Sequence, residues 1–278
     1  MKTSNKILLY DDYCPLCAWY SGLFVKYKLL SPENRQPFST ASDTLLSLID
    51  FEKGRNEIPL VDPISGTVLY GLDALLSILG NPFPIIEKIG KIKPIHWLLT
   101  KLYKLVSYNR KVVVARKCGT GRIDCSPEFN IPYRLLLVLL SLTIMISSIG
   151  AVHSSILTHI SFYTITKEQL VIATLFLTSI SYGAAFISPH RKTIEFFGQA
   201  SMLTILTVLF LVPLLLLNNF INLPSWLVLS YLGIVALMIG KEYFRRMQFI
   251  EKISKQLPLV VIHTTSMGFF LCYLFIIS

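Results

Sequence analysis

The stretch Ile7-Leu8-Leu9-Tyr10-Asp11-Asp12-Tyr13-Cys14-Pro15-Leu16-Cys17 decides how the first third of this chain is read. Ile7–Tyr10 is a short apolar, partly β-branched run, the pattern of a buried strand. It passes directly into two acids and a Cys-x-x-Cys pair. Residues 18–30 then read as a helix, with Leu23, Tyr27 and Leu30 on one face, until Ser31-Pro32 stops it.

Working outward, residues 36–39 suit a short strand. Ser42 caps a second helix that ends near Gly54. Residues 57–62 and 67–70 read as a hairpin turning at Gly66. Gly71-Leu72-Asp73 opens a third helix over residues 74–79, ended by Gly80-Asn81-Pro82. The order is strand, Cys-x-x-Cys, helix, strand, helix, strand, strand, helix. That is the order of a thioredoxin-like α/β domain, assigned to residues 1–81.

The cysteine pair has a defined chemistry in this setting. Cys14 falls at a helix N-terminus, where unpaired N–H groups and the helix dipole favour a thiolate. Cys17 lies one turn on and can close a disulfide with it. Pro15 suits the opening of a helix, where its missing N–H is no loss. Asp11 has two readings, a proton relay to Cys17 and a helix cap. The thioredoxin-like reading also implies a cis proline before a strand, beside the dithiol, whose backbone pairs with a substrate peptide. Ile58-Pro59 occupies that place, an ordinary trans proline being the alternative. The candidate catalytic residues are therefore Cys14, Cys17 and Asp11, and the candidate substrate-binding residues Ile58 and Pro59.

Residues 10–17 resemble the opening of the DCC family of thiol-disulfide oxidoreductase-like proteins, with Asp11, Cys14 and Cys17 at the matching positions. Gly66, the segment Gly71-Leu72-Asp73-Ala74, and Tyr103 with Asn109-Arg110 are similar to later family features. Asp12 stands where the family usually has glycine. The resemblance spans about residues 5–117 and implies thiol-disulfide exchange.

Beyond this region the composition changes. Residues 1–130 hold 17 Lys+Arg and 12 Asp+Glu, leaving 9 and 4 for residues 131–278. Over the whole chain 15% of residues are charged, against about 25% for a soluble domain. Apolar runs at 135–151, 169–188, 199–217, 224–240 and 257–277 are long enough to span a hydrocarbon core, which makes residues 134–278 an all-α polytopic membrane domain of about five transmembrane helices. Lysine and arginine crowd the connections before the first span and between the fourth and fifth. The positive-inside rule then places the N-terminus in the cytoplasm and the C-terminus outside, in a bacterial inner membrane. The apolar run after Lys6 has only four residues, so a cleaved export signal is not expected.

Between the two halves, residues 82–133 read as a linker. Residues 85–106 mix apolar side chains with lysines and with Trp97 and Tyr103. This is the pattern of a basic amphipathic helix on the inner leaflet, and a helix packed on the soluble domain reads the same way. Cys118 and Cys125 follow in a glycine-bearing loop. They fit a second dithiol, a four-thiolate zinc site with Cys14 and Cys17, or two ordinary juxtamembrane thiols.

These features exclude a soluble enzyme and a disordered protein. The leading expectation is a membrane-anchored thiol-disulfide oxidoreductase, reducing a disulfide-containing protein or small-thiol substrate. Its partners are a cytosolic thiol reductant and the lipid bilayer, with no nucleic acid, cofactor or metal. A polytopic membrane enzyme or transporter, with a lipid or quinone ligand near His263 and a regulatory dithiol, is the alternative. A zinc-stabilised adaptor is the third reading.

Overall fold

Leu8 and Leu9 point to opposite faces of one strand, and both are fully buried. That places β1 (Ile7–Tyr10) inside a sheet covered on both sides. The computed structural model describes residues 5–115, 127–160, 165–185, 190–221 and 223–254. In it β1 pairs in parallel with β2 (Arg35–Pro37) and antiparallel with β3 (Pro59–Val61), which pairs antiparallel with β4 (Val68–Tyr70). The sheet order is β2-β1-β3-β4. Leu9 packs with Phe38, Ile49 and Val61 on one face, and Leu8 with Leu30, Leu60 and Ile78 on the other. Each fully buried leucine contributes about 2 kcal/mol of hydrophobic stabilisation.

Helix α1 (Pro15–Lys26) opens at Pro15 with Cys14 as its N-cap, because Pro15 sits in the first turn without forfeiting a hydrogen bond. It ends earlier than expected. Lys28 adopts φ 57°, and the N–H groups of Leu29 and Leu30 turn back to the Phe24 carbonyl. Arg35 pins α1 to β2: its Nε donates to Ser21 Oγ at 3.0 Å and its Nη2 to the Ala18 carbonyl at 2.9 Å.

The expected single helix from Ser42 to Gly54 is two, α2 (Asp43–Leu46) and α3 (Phe51–Asn56). Ser42 caps the first, accepting from Leu45 N–H at 3.3 Å. The Asp50 carboxylate starts the second by accepting from Glu52 and Lys53 N–H groups at 3.1 and 3.3 Å. Helix α4 (Gly71–Leu79) follows β4 without a break.

Residues 84–114 form α5 (Pro84–Gly90) and α6 (Lys93–Val114). Of the two readings open for this segment, the structure packs α6 against α1, α3 and α4, with Leu105, Ser107, Arg110 and Val112 buried. The first compact unit runs to Arg134. Four successive residues entering β3 meet one stripe of α6. The Arg55 carbonyl accepts from Arg110, the Asn56 carbonyl from Ser107, Glu57 pairs with Lys104 at 3.2 Å, and Ile58 N–H donates to Tyr103 Oη at 2.9 Å.

The second unit, Leu135–Ser278, is helical where described. It contains most of α7 (Ile131–Ser155), then α8 (Lys167–Ala185), α9 (His190–Phe220) and α10 (Ser225–Ser254). Among the described residues three helices are long and apolar enough to cross a membrane, within α7, α9 and α10. The expected span at 169–188 corresponds to the 19-residue α8, and that at 257–277 lies outside the described residues. Helix α10 continues past Gly240, where the apolar run stops, through Lys241, Arg245 and Arg246. Arg246 is buried there, donating to Gln199 Oε1 on α9 at 2.7 Å and to Glu242 Oε1 at 2.8 Å.

Gly71 is the position where backbone freedom is indispensable. Its φ is +55°, and a Cβ would stand 2.8 Å from Glu57 Oε2 and 2.9 Å from Tyr103 Cε1. Gly71→Ala should destabilise the first unit by about 1–3 kcal/mol through backbone strain, with added loss from pushing Tyr103 off Ile58. Gly66→Ala, at φ +69° with Leu48 Cδ2 in ordinary contact at 4.0 Å, should cost less. Thermal unfolding of the two variants followed by circular dichroism checks the ranking.

Candidate active site

Cys14 is the N-cap residue of α1, and Cys17 lies in its first turn. The turn delivering them is built by Asp11. Its carbonyl accepts from Cys14 N–H at 3.2 Å, and its Oδ1 accepts from Tyr13 N–H at 3.0 Å. Asp11 thus orders the turn before the helix and does not cap α1 itself. Asp12 points elsewhere, with Oδ2 accepting from Ser39 Oγ at 2.9 Å. Its φ is not positive, so the turn forms without glycine there.

The two thiols are unjoined and lie in one cluster with Leu16 and Tyr20. They are strongly enclosed: Cys14 is 0% exposed, Cys17 3% and Asp11 4%. Arg110 reaches them from α6. Its Nη1 stands 3.4 Å from Cys17 Sγ, and the residue is itself 6% exposed. A guanidinium, two thiols and a carboxyl therefore share one buried volume.

Their proton affinities follow from that enclosure. Cys17 is pushed up, first by its hydrogen bond to Cys14 and then by burial, while Arg110 opposes both. Cys17 thus holds its proton tightly. Burial alone would lower Arg110. The facing Cys17, Cys14 and Asp11 outweigh it and hold the guanidinium firmly charged. Asp11 is raised, chiefly by burial, with Arg110 pulling the other way. Its Oδ2 is buried and has no hydrogen-bond partner among the described residues. A carboxyl with an available oxygen and a raised proton affinity is suited to accept the Cys17 proton.

The Ile58–Pro59 pair differs from expectation. The bond is trans, because Pro59 enters β3 in ordinary extended pairing opposite Tyr70. The Ile58 backbone is also occupied, its N–H by Tyr103 Oη and its carbonyl by Gly71 N–H at 2.9 Å. In this arrangement a substrate peptide finds no unpaired group on Ile58. Cys118, Cys125 and His263 lie outside the described residues.

Sequence reading places Arg110 among the family-like features and the positive charges before the first span, and gives it no role at the dithiol, where the structure puts it. The available signal was spacing. Tyr103, Ser107 and Arg110 recur at i, i+4 and i+7, a polar stripe on one face of a long helix.

Comparison of the chain with protein-family models, with curated proteins and with solved structures returned no match.

Because the folded state binds the Asp11 proton more tightly than the unfolded chain, this group's effect has a definite sign. Stability falls as pH rises from the ordinary carboxyl value of 3.8 towards the raised folded value, and stays reduced above it. Asp11→Asn keeps the acceptor for Tyr13 and removes the charge. It should be more stable than the native chain at neutral pH and equal to it below about pH 3.5. Thermal midpoints measured across that range check this, and a difference independent of pH would contradict it.

Proposed function

We propose that this protein is a membrane-anchored thiol-disulfide oxidoreductase whose first unit is a thioredoxin-like dithiol domain. The observation that carries the reading is the Cys14/Cys17 dithiol at the start of α1, beside Asp11 and Arg110. The β2-β1-β3-β4 mixed sheet and the helix order support the thioredoxin-like assignment. The resemblance of residues 10–17 to the DCC family supports the chemistry.

The proposed reaction runs in two displacements. The Cys14 thiolate attacks one sulfur of a substrate disulfide, forming a mixed disulfide and releasing the first substrate thiolate. Cys17 passes its proton to Asp11 and attacks the Cys14 sulfur. The second substrate thiolate leaves, and Cys14–Cys17 is now a disulfide. The substrate gains two electrons and two protons, and a cytosolic thiol reductant returns the dithiol to its starting state. Both sulfurs are enclosed, so a protein substrate needs an opening motion that uncovers Cys14, whereas a small disulfide needs less.

The second unit is proposed to hold five spans in a bacterial inner membrane. Helix α8 and residues 257–277 would join the three apolar helices, with the N-terminus cytoplasmic and the C-terminus outside. The alternation of lysine and arginine between connections supports this orientation.

The test is reduction of insulin and of a small aromatic disulfide by the purified full chain. Cys14→Ser should abolish turnover of both. Cys17→Ser should accumulate a mixed disulfide on Cys14, visible as a mass increase. The small disulfide should react faster than insulin. Unchanged turnover in Cys14→Ser would overturn the reading.

A further inference from the structure

We propose that the outward face of α5 and α6 is a docking surface for an anionic lipid surface. The inference rests on the geometry of the first unit and not on the thiol chemistry, so the two can fail separately.

The inward stripe of α6 fixes which way the helix faces. With Tyr103, Ser107 and Arg110 turned towards residues 55–58, the side away from them presents Trp97, Leu98, Leu102 and Val106 to solvent, Trp97 with 63% of its surface exposed. The preceding segment adds exposed Phe83, Ile85, Ile86, Ile89 and Ile92. An apolar surface built from two consecutive helices marks an interaction site, since soluble surfaces scatter such residues singly.

The charges identify the occupant. Lys88, Lys91, Lys93 and Lys101 are exposed along the same segment, and Glu87 is the only acid between residues 81 and 102. Glu87 is held by Lys91 at 2.6 Å. Helix α6 opens with no acid in its first turn and with Lys93 there instead, against the preference of the helix dipole. An anionic layer relieves this accumulation of positive charge. Lys91, Lys93, His96, Trp97, Thr100 and Lys101 also line an open groove. His96 in this groove is paired with Asp73 Oδ1 at 2.9 Å, which leaves the three lysines and Trp97 for a ligand. The ammonium groups and the indole together suit a lipid phosphate with its glycerol below.

The pattern is that of an interfacial helix. Apolar side chains enter the acyl boundary, tryptophan sits at headgroup depth, and lysine stems carry their charges up to the phosphates. Chain connectivity supplies the proximity, because α7, an apolar helix of spanning length, begins at Ile131 within the first unit.

The experiment uses the full chain in nanodiscs of phosphatidylcholine alone or with phosphatidylglycerol. The chain has three tryptophans, so Trp19→Phe with Trp226→Phe leaves Trp97 as the sole reporter. In the anionic discs, brominated lipid should quench Trp97 and iodide should not reach it. The lipid quenching should fall by half or more in ~1 M salt, where the screening length is about 3 Å. The variant with Lys88, Lys91, Lys93 and Lys101 all changed to Gln should lose it at low salt. The salt titration uses the native lysines, so it decides the matter even if that variant misfolds. Trp97 open to iodide and untouched by brominated lipid overturns the proposal. So does equal quenching in neutral discs. Shielding from iodide without lipid quenching also overturns it, and indicates a protein partner or a second copy of the chain.

Discussion

The Arg110 guanidinium against Cys17 Sγ is the contact on which the first unit depends. A buried cation without partners costs several kcal/mol, so Arg110 is tolerable only where negative or polarisable groups surround it. Cys17, Cys14, Asp11 and the Arg55 carbonyl supply that surrounding. The contact links residues 93 positions apart. It draws the end of α6 onto the start of α1, and Ser107, Lys104 and Tyr103 then follow along residues 56–58. Gly71 has to be glycine because Tyr103 and Glu57 close over it.

The same contact orders the chemistry. A cation in a low-dielectric pocket favours whichever neighbour carries negative charge. The hydrogen bond with Cys14 and burial hold the proton on Cys17, and Arg110 pulls the other way. Asp11 adds a carboxyl that burial inclines towards its neutral form, so it is able to take up a proton as the second thiol reacts. Enclosure strengthens each of these couplings and restricts access, so in the proposed exchange the helix that activates the dithiol also shields it.

Much of this was legible along the chain, and the reasons are local. Ile7–Tyr10 reads as a strand because its apolar run is short and bounded by acids. The hairpin and α4 follow from Gly66 and Gly71, which take the positive φ their turns require. What the sequence concealed was long-range or compensated. Arg110 reads as a family-like residue and a juxtamembrane charge, and its place at the dithiol shows only when α6 packs back onto α1, α3 and α4. Asp50 divides a helix that hydrophobic periodicity joins. Helix α10 outlasts its apolar run because Arg246 finds Gln199 on α9, a partner 47 positions away. The trans bond at Pro59 was open in the sequence, since the residue type permits both forms.

The most direct test of the account is the redox titration of Cys14 and Cys17 in the full chain, native and Arg110→Gln, read by thiol-alkylation mass shifts. The account predicts a single two-electron transition confined to these two residues. Removing the guanidinium withdraws support from the thiolate and so destabilises the reduced form. The Arg110→Gln midpoint should therefore move to more negative potential, by about 30 mV for each tenfold change in the exchange equilibrium. An unchanged midpoint, or thiols that never pair, would contradict it.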